Sequence, residues 1–592
     1  MKKTLVAPTL GETILLRHRH SPGVRVSISY GADDSSIETT FSNREILAAS
    51  SLLYQSLQNL GLKSGDTLAI VADSSEKWLI LIAALTSMKV VFVPIFKTLP
   101  IRDIESIVEK SKATFLFTDS PELLDHFAKR SNFNVIYDVP LNRPTSEPSL
   151  PQVHFWKDLI RNRDEESSTD FESALLDGKP DGILALIFTS GTTGQPKAVP
   201  ITNRSLMSVY RDCAYGFDPI LNPESEVLLS YLPPAHVLGL IELLGVFAFG
   251  WELHFAPPKN DLSTWLRRVR PTMIFSTPRF FEKLYLTMIA RSSENTIVKK
   301  LILKPSLNAM IKKPNKWNPM RGYVRSELKR SLGGRLKFAI CGGAHLSTQI
   351  VDFFCGLGLP IYEGYGLTET SGPISANRPN AFKPGTMGKP FPEVNVRIAL
   401  DGEILVKTEK LFTHYLGDPS ATEAAFEEGW FKTGDLGFID PDGFIHIFDR
   451  KKDILVTSGG KNIAPQKLEN LLLEQSPMFS DAIVIGDKRP FISAILALNT
   501  ERAALLGEEL GLMVTDPKHL VKDPEFLRHV EGLINSANAS LAPYEQIRRF
   551  IVLPYSFSLE TGELTPTLKL KRFSIARKLS KEIDALYEDK TQ

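Results

Sequence analysis

Cysteine is scarce: Cys213, Cys341 and Cys355 are the whole complement of a 592-residue chain. Three thiols, odd in number and not at metal-ligand spacing, argue against a disulfide framework and against a zinc site, and they suit a reducing cytoplasm. Charge of one sign is lacking too. Lys and Arg number 69 against 68 Asp and Glu, a formal net charge of +1, so no global field selects nucleic acid or an acidic partner. Uninterrupted apolar runs are also missing. The stretch 78–96 is broken by Lys89 and Pro94, and the stretch 232–257 by His236, Glu242 and Glu252. A bilayer would leave those groups unsatisfied, whereas a helix followed by a strand in a large core accommodates them, so both are expected to be buried elements. The opening Met1-Lys2-Lys3 is followed by an apolar run that stops at Pro8, with Glu12 soon after, and no cleavable export signal is read there. Peripheral membrane contact stays open. His-Glu-x-x-His and Gly-x-Ser-x-Gly do not occur, which leaves zinc-protease and serine-hydrolase chemistry without support.

What the chain does contain is length and alternation. At 592 residues it is too long for one core, so at least two domains are expected. Strand-like Thr67 to Val71, helix-like Lys77 to Met88 and strand-like Val90 to Pro94 set the rhythm of an α/β layered sheet. A further unit runs from Val269 to Ser276 into a helix that Pro278 opens. Leu336 to Ile340 then releases into Cys341-Gly342-Gly343-Ala344, a strand end with a glycine turn, where open α/β sheets place ligands. The charged run Asp449-Arg450-Lys451-Lys452-Asp453 separates two strand-like segments and reads as a hinge, dividing the chain into 1–449 and 450–592. The second part reads as a small α+β unit. Its terminal helix, 574–587, is expected to place Ile575, Leu579, Ile583 and Leu586 on one face.

The most informative stretch is Thr189-Ser190-Gly191-Thr192-Thr193-Gly194-Gln195-Pro196-Lys197, directly after the apolar run 183–188. Glycines let backbone N–H groups converge on an anion, hydroxyls add donors and the lysine adds a point charge. Pro196 excludes the Walker pattern, which needs glycine before its lysine. Gly364-Tyr365-Gly366 likewise fails the dinucleotide fingerprint, because Glu369 stands where the third glycine belongs.

Three more blocks follow in order: 362–370 (Tyr-Glu-Gly-Tyr-Gly-Leu-Thr-Glu-Thr), 429–435 (Gly-Trp-Phe-Lys-Thr-Gly-Asp) with 449–453 behind it, and 565–572 (Thr-Pro-Thr-Leu-Lys-Leu-Lys-Arg). Together with 189–197 they resemble the adenylate-forming superfamily of acyl-CoA synthetases, adenylation domains and luciferases. The resemblance implies a large, multilayered adenylation domain followed by a small mobile domain, with magnesium, ATP and CoA used in turn. It assigns Thr189, Ser190, Gly191, Thr192, Thr193, Gly194 and Lys197 to the phosphates of ATP. It places adenine by Gly343 and Ala344 and against Tyr365, and gives Thr368 the α-phosphate, Glu369 the magnesium, and Asp435 and Arg450 the ribose. Lys569 matches the lysine that bridges carboxylate and α-phosphate, and Lys452 matches the pivot. His236 joins the catalytic set, while Ser458, Gly459 and Gly460 suit the pantetheine arm of CoA.

Within that superfamily the segments 230–236, 457–465 and 565–569 are most similar to long-chain fatty acyl-CoA synthetases, and the apolar stretch 237–249 is a candidate lining for an alkyl tunnel. Ala198, Asn203, Cys341, His345 and His414 depart from the usual pattern, none removing a catalytic charge. Between 291 and 337 basic residues far outnumber acids. A solvated insertion, a surface for anionic lipid or for CoA phosphates, and a dock for an acidic acyl carrier protein are all compatible with it. The expected activity is ATP-dependent formation of a fatty acyl adenylate and then of acyl-CoA. An acyl-carrier-protein synthetase, a ligase for another hydrophobic acid and a non-catalytic acyl or nucleotide binder are the alternatives. A homodimer stays open.

Overall fold

Short apolar strands alternate with amphipathic helices along the first two hundred residues, and parallel strands need such helices as crossovers. The computed structural model describes residues 4–30, 37–138, 151–161, 167–189, 196–256, 262–293, 320–344, 346–476, 478–558, 560–565 and 569–588. They fall into two compact units, Met1–Val396 with Val406–Lys432 and Asp440–Ile445, and Arg397–Leu405 with Thr433–Ile439 and His446–Gln592.

In the first unit, a sheet of seven described strands runs in the order Val153–Phe155, Asn134–Tyr137, Phe115–Thr118, Thr67–Val71, Val91–Pro94, Ile183–Thr189 and Lys197–Thr202. Neighbours are parallel except the last pair, which is an antiparallel hairpin with Thr189 opposite Lys197. A second sheet orders Met273–Ser276, Phe338–Cys341, Ile361–Leu367, Gly372–Ala376 and Lys389–Pro390. Its first three strands are parallel, and the chain then doubles back at residues 368–371. That reversal puts the Thr-Glu-Thr segment at the carboxyl end of a parallel strand.

The two stretches that tempted a membrane reading are a helix and a strand each: Glu76–Met88 with Val91–Pro94, and Val237–Phe249 with Glu252–Phe255. Both helices are buried along almost their whole length. Among the described residues no helix is long and apolar enough to cross a membrane.

The second unit is built on the strands Phe479–Ile485, Ile492–Leu498 and Ile547–Leu553. Period-two alternation sorts their side chains. Ala482, Val484, Ala494, Leu496 and Leu498 pack with the helices Pro465–Gln475 and Pro524–Asn538, while Ile483, Ile495 and Ala497 pack with Ile575, Leu579 and Ile583. The single terminal helix expected over 574–587 is two short ones, Arg572–Lys578 and Ser580–Ala585, because Leu579 leaves helical geometry at φ −105 and ψ 24. Its expected apolar face survives the break. Only Leu586 is left partly outside the buried set.

Candidate functional site

Lys197 begins a strand, Glu369 sits in a single 3-10 turn, and a third residue joins them. The Tyr415 hydroxyl donates to Glu369 Oε1 at 2.8 Å, and Lys197 Nζ lies 4.6 Å from the centre of the Tyr415 ring. Backbone bonds clamp the same three segments: Phe412 N donates to Glu369 O at 2.8 Å and Leu416 N to Ala198 O at 3.0 Å. A cation and a carboxylate are thus held at opposite ends of one phenol. Burial first, then the Glu369 carboxylate, raise the pKa of that phenol, so Tyr415 keeps its proton and remains a donor.

Thr368 starts the 3-10 turn Thr368–Thr370, which Ser371 closes with a positive φ of 54 and an N–H bond to Thr368 O at 2.9 Å. Gly366 is required just before it. A Cβ there would sit 2.0 Å from Gly372 O, so only glycine lets the two strands approach. Tyr365 is buried on the same strand. Next to it in the sheet, Gly343 and Ala344 are exposed after Phe338–Cys341, and Gly343 has φ +90 with open space where a side chain would project. Glu363 lies beneath this turn, opposite Cys341, accepting from Leu346 N at 3.4 Å, and burial pushes its carboxyl up to about 8. Burial likewise raises the Cys341 thiol, which makes it a weak nucleophile. His236 caps the helix Val237–Phe249, its Nδ1 accepting from Leu238 N at 3.2 Å. Ser190, Gly191, Thr192, Thr193 and Gly194 lie outside the described residues, as does His345; Thr189 and Lys197 flank the loop as a strand pair.

The second unit carries its own cluster. Asp435 is buried on a strand, and Arg450 Nε stands 3.1 Å from its Oδ1. Lys569 keeps solvent access, yet desolvation of its ammonium lowers its pKa to about 8; Arg450 pushes the same way, ahead of Lys452, and Asp435 opposes them. Its backbone is held by a reciprocal pair with Thr565, Lys569 N to Thr565 Oγ1 at 2.9 Å and Thr565 N to Lys569 O at 2.7 Å. Lys452 is exposed after the strand Ile445–Arg450. Its neighbour Lys451 is anchored, with Nζ 2.6 Å from Asp401 and 2.7 Å from Glu403. Ser458, Gly459 and Gly460 form the exposed tip of the hairpin Leu455–Val456 and Asn462–Ile463, where Gly460 has φ +73.

Sequence reasoning missed Tyr415 and Lys451. The signal for Tyr415 in the sequence is a lone tyrosine next to His414, forty-six residues beyond the carboxylate it holds. Asn203, noted as a departure, has structural work: its amide accepts from Leu10 N at 2.8 Å and donates to Lys179 O at 3.0 Å.

A strand pair closing on Lys197, a carboxylate turn at a strand end and a second unit bearing Lys569 suit an adenylate-forming ligase, and the class is given by comparison with known proteins. The chain belongs to the AMP-binding enzyme family: that model matches residues 20–416, and the AMP-binding enzyme C-terminal domain matches residues 452–591. Among curated relatives, the long-chain-fatty-acid–CoA ligase FadD15 of Mycobacterium tuberculosis is 34% identical over 554 residues, taking in 90% of this chain and 89% of that protein. The long-chain-fatty-acid–CoA ligase ACSBG1 of Bos taurus is 28% identical over 90% of this chain and 78% of its own length. The fold is that of the adenylation domain of a carboxylate reductase from Mycobacterium chelonae, with a TM-score of 0.75 at 21% identity over 98% of this chain and 91% of that one. It is also that of O-succinylbenzoate coenzyme A synthetase from Bacillus subtilis solved with ATP and magnesium, with a TM-score of 0.66 at 22% identity over 95% and 98%.

Proposed function

We propose that this protein activates a long-chain fatty acid with ATP and transfers the acyl group to CoA, releasing pyrophosphate and then AMP. The observation that carries the reading is the Lys197–Tyr415–Glu369 arrangement, in which one phenol from a loop meets a cation on one sheet and a carboxylate in a turn of another. The curated relatives' names supply the acid and the acceptor.

A carboxylate and a triphosphate repel each other, so the first step needs positive charge and fixed donors where negative charge grows. Lys197, with the loop from Thr189 to Gly194, is assigned to the β- and γ-phosphates, and Thr368 to the α-phosphate. Glu369 fits magnesium: the ion prefers oxygen, keeps waters and phosphates as most of its ligands, and needs only one or two protein carboxylates. When bound it neutralises charge on the departing pyrophosphate. Asp435 and Arg450 are assigned to the ribose hydroxyls, and Gly343, Ala344 and Tyr365 to adenine. Lys569 is assigned to steer the substrate carboxylate oxygen onto the α-phosphorus, and His236, the N-cap of the helix Val237–Phe249, is assigned to the same step; the phosphorus–oxygen bond to pyrophosphate breaks as the acyl adenylate forms. In the second step the CoA thiol, led past Ser458, Gly459 and Gly460, loses its proton and attacks the acyl carbonyl, and AMP leaves. We assign the switch between steps to rotation of 450–592 against 1–449 about Lys452.

Incubation of the full chain with ATP, magnesium and fatty acids of graded length, with CoA, with acyl carrier protein or with neither, tests this by mass spectrometry. Acyl-CoA from long acids is expected. Adenylate that never reaches CoA would move the acceptor elsewhere, and no product at all would sink the enzymatic reading.

A further inference from the structure

The helix Val237–Phe249 is apolar or glycine at every position except Glu242. That carboxyl is fully buried. Ser230 Oγ donates to its Oε2 at 3.2 Å, while Oε1, also withdrawn from solvent, meets no partner among the described residues. Burial raises its pKa well above the usual carboxylate range, with the Ser230 bond opposing, which favours the protonated form, a group that both donates and accepts. A buried donor without an acceptor is destabilising, and a leucine would fill the same helix position without that cost. Such a group calls for a reason, and a ligand is one.

Its surroundings favour a ligand. Ser230 ends the strand Val227–Ser230, and the next residue, Tyr231, donates to Ser276 Oγ at 2.7 Å. Ser276 ends Met273–Ser276 and pairs with Cys341 at the end of Phe338–Cys341. All three are carboxyl ends of parallel strands, the edge at which α/β sheets bind small molecules. Burial, and after it Glu242 and Cys341, raise the pKa of the Tyr231 phenol, with the Ser276 bond opposing. One helical turn before Glu242, Leu238 reaches within 3.5 Å of a Cβ built on Gly342, and the adjacent Ile241 within 2.6 Å of one built on Gly372. The helix therefore meets both the glycine turn and the turn behind Glu369.

We infer that Glu242 and Ser230 form a polar subsite for the acyl chain, and that the substrate class includes acids bearing a hydroxy or oxo oxygen along the chain, which accepts a hydrogen bond from the Glu242 carboxyl. This rests on the adenylate-forming reading of the site. Loss of such a bond leaves a buried polar group unpaired, which is why sites of this kind discriminate more strongly than a wholly apolar tunnel.

The test is ATP–pyrophosphate exchange by the full chain with unsubstituted acids and with acids of the same length carrying one hydroxyl or one oxo group at successive positions. Wild type is expected to show kcat/KM at least ten-fold higher for one position of substitution than for the plain acid. Glu242→Leu should lower that ratio ten-fold or more, and Glu242→Gln, whose amide still donates, should keep part of it. Ratios that are flat along the series in wild type and unmoved by Glu242→Leu would overturn the subsite while leaving the ligase reading intact. Absence of exchange with every acid would overturn both. The Gln variant, close in shape, reports on the ratio should Glu242→Leu fail to fold.

Discussion

Tyr415 joins two residues separated by more than 170 positions, Lys197 and Glu369, which the proposed mechanism assigns to one nucleotide. Its hydroxyl orients Glu369 and its ring lies under Lys197. Tyr415→Phe keeps the ring and deletes the hydrogen bond, so the magnesium concentration for half-maximal ATP–pyrophosphate exchange should rise several-fold, more than the KM for fatty acid does. Equal changes in both would show that Tyr415 is only a packing residue. Lys569 sets a second expectation. The proposed adenylation step uses its ammonium form, and with its pKa lowered to about 8 that form is full below this pH and lost as pH rises through it. The first half-reaction should decline above pH 8, and Lys569→Arg, which stays charged, should move the decline upward. Lys569→Ala should abolish adenylate formation, by at least about 100-fold for loss of a charge-stabilising group, yet spare thioester formation from supplied acyl adenylate. A similar loss in both half-reactions would remove Lys569 from its assigned role.

At the scale of elements, the second unit depends on a buried ion pair. Glu469, on the helix Pro465–Gln475, is paired with Arg572 at the start of Arg572–Lys578 and also accepts from Val484 N at 2.7 Å. One carboxylate therefore joins two helices and a strand on both faces of the sheet. Arg572→Ala would leave that carboxylate buried and unpaired, and a loss of roughly 3 kcal/mol is expected in chemical denaturation of the full chain. Glu469→Gln with Arg572→Met should recover much of it, because removing both charges removes the desolvation cost as well. In the first unit Gly366→Ala should be worse than a surface glycine change such as Gly532→Ala, whose Cβ would meet open space. The former must force the strands Ile361–Leu367 and Gly372–Ala376 apart, and it should lower ATP affinity together with the thermal midpoint.

For the whole molecule, the two half-reactions are assigned in our proposal to two arrangements of 1–449 and 450–592, with Lys452 as the proposed pivot. Lys451 beside it is tied to Asp401 and Glu403. Lys452→Pro, with φ locked, should preserve adenylate formation and depress acyl-CoA formation preferentially. Stopped-flow measurement of each half-reaction separates the two, and normal acyl-CoA synthesis by this variant would rule out the pivot.

Much of this was legible in the chain itself. The strand that ends at Thr189 and the glycine turn after 338–341 follow from local composition, because glycine, proline and β-branched runs restrict the backbone within a few residues; the Thr-Glu-Thr block and Lys569 are picked out by the family resemblance. Buriedness of 78–96 and 232–257 follows from their punctuation by charge and proline. Tertiary structure alone decided the rest. Tyr415 meets Glu369 and Lys197 only because separate sheet strands and a distant loop converge, and no spacing encodes that contact. The break at Leu579 is decided by packing against the sheet, which overrides a helical pattern that runs on in sequence. Glu242 reads as a mere interruption of an apolar helix until the fold shows it buried, paired on one oxygen with Ser230, beside the strand ends. Local preferences act over one or two turns of chain, whereas desolvation and pairing depend on what lies across the core.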